Sequence, residues 1–139
     1  MIASFYGALA KVGFNHPIHP IFVHVPIGMV VGMFFFSLFG LKWKKNLPRT
    51  AYHCSVLALI SIFPTILAGI MDWQYRFNGD WMPQIKIKIL LASILVVLLI
   101  YAVVARNMGA SQKHLFYVYT LCLICVTGLG YEGGQLVYG

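Results

Sequence analysis

Three histidines fall within nine residues, His16, His19 and His24, interleaved with Pro17, Pro20 and Pro26 where the first long apolar run begins. An imidazole can take up a proton, release one, or ligate a metal ion. The segment His16-Pro17-Ile18-His19-Pro20-Ile21-Phe22-Val23-His24-Val25-Pro26-Ile27-Gly28 sets three of them at the edge of a hydrophobic stretch. Ionisable side chains there are disfavoured unless they serve a site, so they mark functional positions by default.

Two carboxylates and two further histidines complete the set. His53 and His114 stand near the starts of two other apolar runs, and Asp72 and Glu132 near the ends of the same two. A histidine facing a carboxylate suits proton transfer. A histidine beside small residues leaves room for a flat macrocycle, and imidazole is a common axial ligand of haem iron. His24, Gly28 and Gly32 are spaced i, i+4, i+8 and are expected on one helix face. His24 is the first candidate for a haem-iron ligand or proton acceptor, with His19 and His16 as alternates. His53 and His114 are candidates to hold a second haem b across two helices, and Asp72 and Glu132 to relay protons. Histidine–carboxylate pairing at one rim is the natural expectation.

Each candidate has a plainer reading. The small-residue spacing is the usual mark of close helix packing. His16 and His19 could meet interfacial water, His53 and His114 could snorkel to the boundary, and Asp72 and Glu132 could end helices in headgroup water. Met71 and Met82 are only weak axial ligands. Histidine with carboxylate suits zinc, but His16-x2-His19-x4-His24 matches no zinc signature. No nucleophile triad, phosphate loop or metalloprotease motif is present, which argues against hydrolytic or phosphoryl chemistry.

The elements that must position these residues are membrane spans. Of the 139 residues, 60% are hydrophobic and 9% charged, whereas soluble domains carry about 25% charged residues. The chain is therefore expected to be an all-α integral membrane protein, a single domain over 1–139. A span needs about 20 apolar residues. Four runs qualify, at about 20–41, 50–73, 85–105 and 114–130, and short loops imply an antiparallel four-helix bundle. Residues 1–14 are too short to cross and are expected as a short interfacial helix. Pro17 and Pro20 predict extended or turn backbone from Asn15 to His19. Thr50 is a candidate N-cap, Pro26 should free a backbone carbonyl near His24, and Pro64 should kink the second span. The third span, all Ile, Leu and Val in character, is expected to be the most peripheral.

A formal net charge of +7 would suggest nucleic acid in a soluble protein, but here the cations lie between apolar runs and point to lipid headgroups and topology; no nucleic-acid partner is expected. Loops one and three hold Lys42, Lys44, Lys45, Arg49, Arg106 and Lys113, against Lys11, Arg76, Lys86 and Lys88 on the other side. The positive-inside rule then places both termini outside. No cleavable signal peptide is evident. Cys54, Cys122 and Cys125 are read as small apolar packing residues.

The His-Pro segment, with Ala68-Gly69-Ile70-Met71-Asp72-Trp73 and Gly128-Leu129-Gly130-Tyr131-Glu132-Gly133-Gly134-Gln135-Leu136-Val137-Tyr138, resembles the DUF2231 family of bacterial four-helix membrane proteins. The resemblance implies four spans and a bacterial inner-membrane location, with no settled activity. Relatives joined to c-type cytochrome or Rieske-type modules suggest membrane electron transfer by association. Family members often carry a His near the start of span three, where this chain has Lys86 and Lys88, and often continue with His-Gly where this chain has Gly139.

Together these features predict a small subunit of a membrane redox complex, binding haem b, quinol or both, with lipid and other membrane subunits or a cytochrome as partners. It would be an electron-transfer or accessory subunit rather than a stand-alone enzyme. The alternative from another class is a cofactor-free scaffold packed through its glycine faces. A transporter is least favoured, because no inverted repeat is visible.

Overall fold

Each apolar run forms a helix long enough to cross a bilayer. A computed structural model describes residues 2–43 and 46–138; Met1, Lys44, Lys45 and Gly139 lie outside the described residues, so two cations of the topology reading are among those not placed. The helices are α1 (Ile2–Lys11), α2 (His19–Gly40), α3 (Leu47–Arg76), α4 (Pro83–Asn107) and α5 (Gln112–Tyr138), and there is no strand among the described residues.

Proline sets three of the starts. α2, α3 and α4 each carry one in the first two helical positions, where its missing N–H is lost to no bond and its fixed φ is already helical. Thr50 does not cap α3: the helix begins at Leu47 after Asn46, and the Thr50 hydroxyl donates to the Asn46 carbonyl at 3.3 Å. The helices also outrun the hydropathy limits. α3 and α4 extend into polar sequence at both ends, and α5 continues through Gly133 and Gly134. Glycine disfavours helix by about 1 kcal/mol, yet the helix continues, with Lys88 Nζ of α4 3.9 Å from where a Cβ on Gly133 would stand.

α2 packs on α3 and α5, and α4 on the same two, closing a ring of four antiparallel helices. Val30 and Met33 of α2, Ala58 of α3, Leu99 of α4 and Tyr119 and Cys122 of α5 meet in its centre. α4 is the least enclosed of the four, as an aliphatic helix facing lipid should be. The α2–α3 hairpin is tight: a methyl on Gly40 would stand 2.9 Å from Pro48 Cδ.

Pro26 removes the N–H that would bond the Phe22 carbonyl. Thr65 of α3 replaces it, with its hydroxyl 3.2 Å from Phe22 O and 2.8 Å from Ser61 O. One proton shared between two carbonyls repairs the gap that proline opens within a dry layer.

α1 ends in a glycine cap. Gly13 has φ +83°, Phe14 N–H donates to Leu9 O at 3.0 Å and Gly13 N–H to Ala10 O at 3.0 Å, which closes the last turn. The helix lies on α3, where Tyr6, Ile18 and Ala68 are buried together.

Candidate functional site

Asp72, one turn from the end of α3, is only 5% exposed. Its Oδ2 accepts the His19 N–H at 2.8 Å, and its Oδ1 accepts the Ile18 N–H at 3.2 Å and the Tyr6 hydroxyl. The first amides of a helix have no partner within it, and Ile18 supplies no side-chain cap to α2. A carboxylate from α3 therefore caps α2 at the positive end of its dipole. The expected histidine–carboxylate contact exists, but through the backbone of His19 and not its ring.

Tyr6 is 4% exposed and stacks on Tyr75, centroids 4.1 Å apart and planes 5° from parallel. Arg76 donates to the Asn15 carbonyl, tying the segment before α2 to the end of α3. Burial, then the bond to Asp72, raises the Tyr6 phenol above its ordinary value of 10.0. The folded protein thus keeps this proton where the unfolded chain has released it. The contribution of Tyr6 is complete below pH 10.0 and declines as pH rises past that value. Alkaline unfolding titrations are expected to show this decline in the wild type and a smaller one in Tyr6→Phe.

His19 is half-buried, and its ring enters the bundle. Nδ1 lies 3.0 Å from the Thr65 carbonyl. A carbonyl can only accept, so Nδ1 carries a proton, and in the neutral ring Nε2 keeps its lone pair. Gly69 provides the space, since a methyl there would sit 3.1 Å from Nδ1 and 3.3 Å from Cε1.

Lys88 of α4 is half-buried and extends toward Gly133 of α5. It shares this rim with His19, Asp72 and Glu132. Each spanning helix thus contributes at least one titratable group to this rim, among them His19, Asp72, Lys88 and Glu132, and α1 adds Tyr6.

The other candidates lie elsewhere. His16 is exposed, its ring edge-on to Phe14 at 6.1 Å. His24 is exposed and bonds through Nδ1 to the Pro20 carbonyl of its own helix. Gly28 has nothing near it, while Gly32 faces Cys54, with Sγ 3.6 Å from a would-be Cβ. His24 and Gly28 are thus exposed at the spacing i, i+4, while Gly32, one turn further on, packs on α3. His53 is exposed beside Tyr52, ring centroids 5.9 Å apart. His114 is exposed, with Nε2 2.8 Å from the Tyr101 hydroxyl. These two histidines have separate partners. Met71 packs under α1, and Met82 precedes α4. Among the described residues no group of three His, Cys, Asp or Glu side chains is arranged to hold a metal ion, and the three cysteines are free and buried.

Sequence reasoning missed Tyr6 and Lys88. Tyr6 sits in a short apolar helix and carries no mark of its own. Lys88 did carry one: it is the second of two cations in the first turns of an apolar helix, although the topology count treats it as a loop charge.

Four apolar spans around a closed core, with polar groups gathered at one rim, define a multi-pass helical membrane protein. Residues 15–139 match the family described as predicted membrane protein (DUF2231), and the chain belongs to that family. The match starts after α1, so Tyr6 lies outside it. No curated protein and no solved structure matches the chain.

Proposed function

We propose that this protein is a small subunit of a membrane redox complex and that it binds quinol at the rim formed by His19, Lys88 and Glu132. The carrying observation is the fixed tautomer of His19: Nδ1–H is held by Thr65, and Nε2 is left as an acceptor. A quinol hydroxyl can donate to that nitrogen. On oxidation quinol gives up two protons and two electrons. Nε2 takes one proton and the Glu132 carboxylate the other, each passing it on to water, and the two electrons leave singly to two equivalents of a one-electron acceptor in a partner subunit, such as a cytochrome. Both Asp72 oxygens already accept structural donors, so Asp72 acts in this reading by positioning His19. The cation distribution supports a position for this rim on the outer face of a bacterial inner membrane.

The residues support quinol better than haem b. The centre of the bundle is filled by Val30, Met33, Leu99 and Tyr119, which leaves no room there for a macrocycle. His24, His53 and His114 are exposed, so a haem ligated by any of them would sit against another subunit. Fluorescence or calorimetric titration of the purified protein with a soluble quinol tests the reading. His19→Gln is expected to weaken binding about tenfold, equivalent to about 1.4 kcal/mol, with helicity unchanged. Equal affinity in wild type and variant would remove the proposal.

The cofactor-free scaffold is the second reading, favoured by the saturation of Asp72 with structural hydrogen bonds. Under it, His19→Gln leaves partner activity intact, while loss of Asp72 impairs assembly.

A further inference from the structure

We infer that the half of the bundle remote from Asp72 binds one internal water molecule, held between the Tyr119 hydroxyl of α5 and the Ser55 hydroxyl of α3. Tyr119 is 1% exposed and lies in the closed core. Its hydroxyl oxygen is buried and has no hydrogen-bond partner among the described residues. A bare hydroxyl in such a place is strongly disfavoured, and an ordered water is a usual reason that one persists. The groups around it do not meet the need directly. Arg106 is near but can only donate, whereas a phenol O–H needs an acceptor. Cys54 and Cys122 are also neighbours, but thiols accept weakly and neither bonds to it. Ser55 is the neighbour that remains.

Ser55 is fully buried, and its own proton is committed: the hydroxyl donates to the Tyr52 carbonyl of the same helix at 2.7 Å. Its oxygen keeps acceptor capacity. α3 and α5 stand diagonally across the ring, since α2 and α4 each pack on both. Across that diagonal the two hydroxyls are neighbours without a direct bond, the situation in which a water bridges. The water accepts from the Tyr119 O–H and donates to Ser55 Oγ. The α3 wall at this level carries no bulk, because Ala51, Ser55 and Ala58 share one face and all three are fully buried. A second polar step joins the site to the nearer rim. Ser37 of α2, also fully buried, accepts from Gln112 Nε2 at 3.1 Å. Gly32 is level with Cys54, and Ser37 lies further along α2, about 7.5 Å closer to that rim at 1.5 Å per residue. Gln112 is half-buried at the start of α5, so this pair marks a polar way in through an otherwise apolar wall. The site is independent of the quinol reading and lies in the opposite half of the bundle.

Radiolytic hydroxyl-radical labelling of the purified protein, read by mass spectrometry, tests the inference, because radicals form from bound water as well as bulk water and mark the side chains beside it. Tyr119 is expected to label well above Leu115, which is equally buried one turn away, once each is scaled to its intrinsic reactivity. Ser55→Ala is expected to lose most of that labelling. Tyr119→Phe is expected to raise the unfolding equilibrium constant about five-fold, equivalent to about 1 kcal/mol for one hydrogen bond. A wild-type Tyr119 as unreactive as Leu115 would overturn the assignment, and so would labelling that persists in a folded Ser55→Ala variant. A Tyr119→Phe variant no less stable than the wild type would overturn it too, since that is the result a dry hydroxyl gives.

Discussion

Asp72→Ala is expected to lower stability by about 3–5 kcal/mol, the range for removing one partner of a buried charged network. The substitution leaves three donors facing nothing: the Ile18 and His19 amides and the Tyr6 hydroxyl. The amides are the first of α2 and have no helical alternative, and the carboxylate lies where water does not reach it. Asp72→Asn restores one acceptor but turns an NH₂ toward another donor, so it recovers only part of the loss. Unfolding in a detergent series measures the free energy, and hydrogen exchange at Ile18 and His19 locates it. Loss below about 1 kcal/mol, with both amides still protected, would mean that the carboxylate is not the cap.

Gly40→Val is expected to destabilise by about 3 kcal/mol, the upper range for overpacking. At Gly40 an added Cβ meets Pro48 Cδ at 2.9 Å, Cγ at 3.0 Å and the backbone nitrogen at 3.3 Å. A proline ring at a helix start cannot swing aside, so α2 and α3 must separate. Gly40→Ala should lose about half as much, because alanine regains about 1 kcal/mol of helix propensity. The double variant Gly40→Ala with Pro48→Ala should recover most of the loss. Non-additivity in that cycle reports the contact directly.

The fold was legible because hydropathy alone separates four spans, and proline marks where three of the helices start. Pro26 also announced a freed carbonyl, although only the structure shows Thr65 crossing from α3 to meet it. The helix limits were less legible. Polar residues such as those of 74–76 continue α3 beyond its apolar run, and no periodicity signals that they do. The site was legible in residue type but not in direction. His16, His19 and His24 look alike in sequence, yet backbone rotation sends His24 outward and the glycine at 69 admits His19 inward. Tyr6 could not be found from the sequence, because its role depends on how a separate helix docks across a gap of 66 residues.

The cap of α2 comes from the next span, and this bears on biogenesis. A first span leaving the translocon alone would carry bare amides at its leading turn into the lipid boundary. It acquires its carboxylate only when the far end of the second span arrives. The first two spans therefore reach their final form as a pair, and a truncated chain ending within the first loop should insert as a frayed and easily extracted segment.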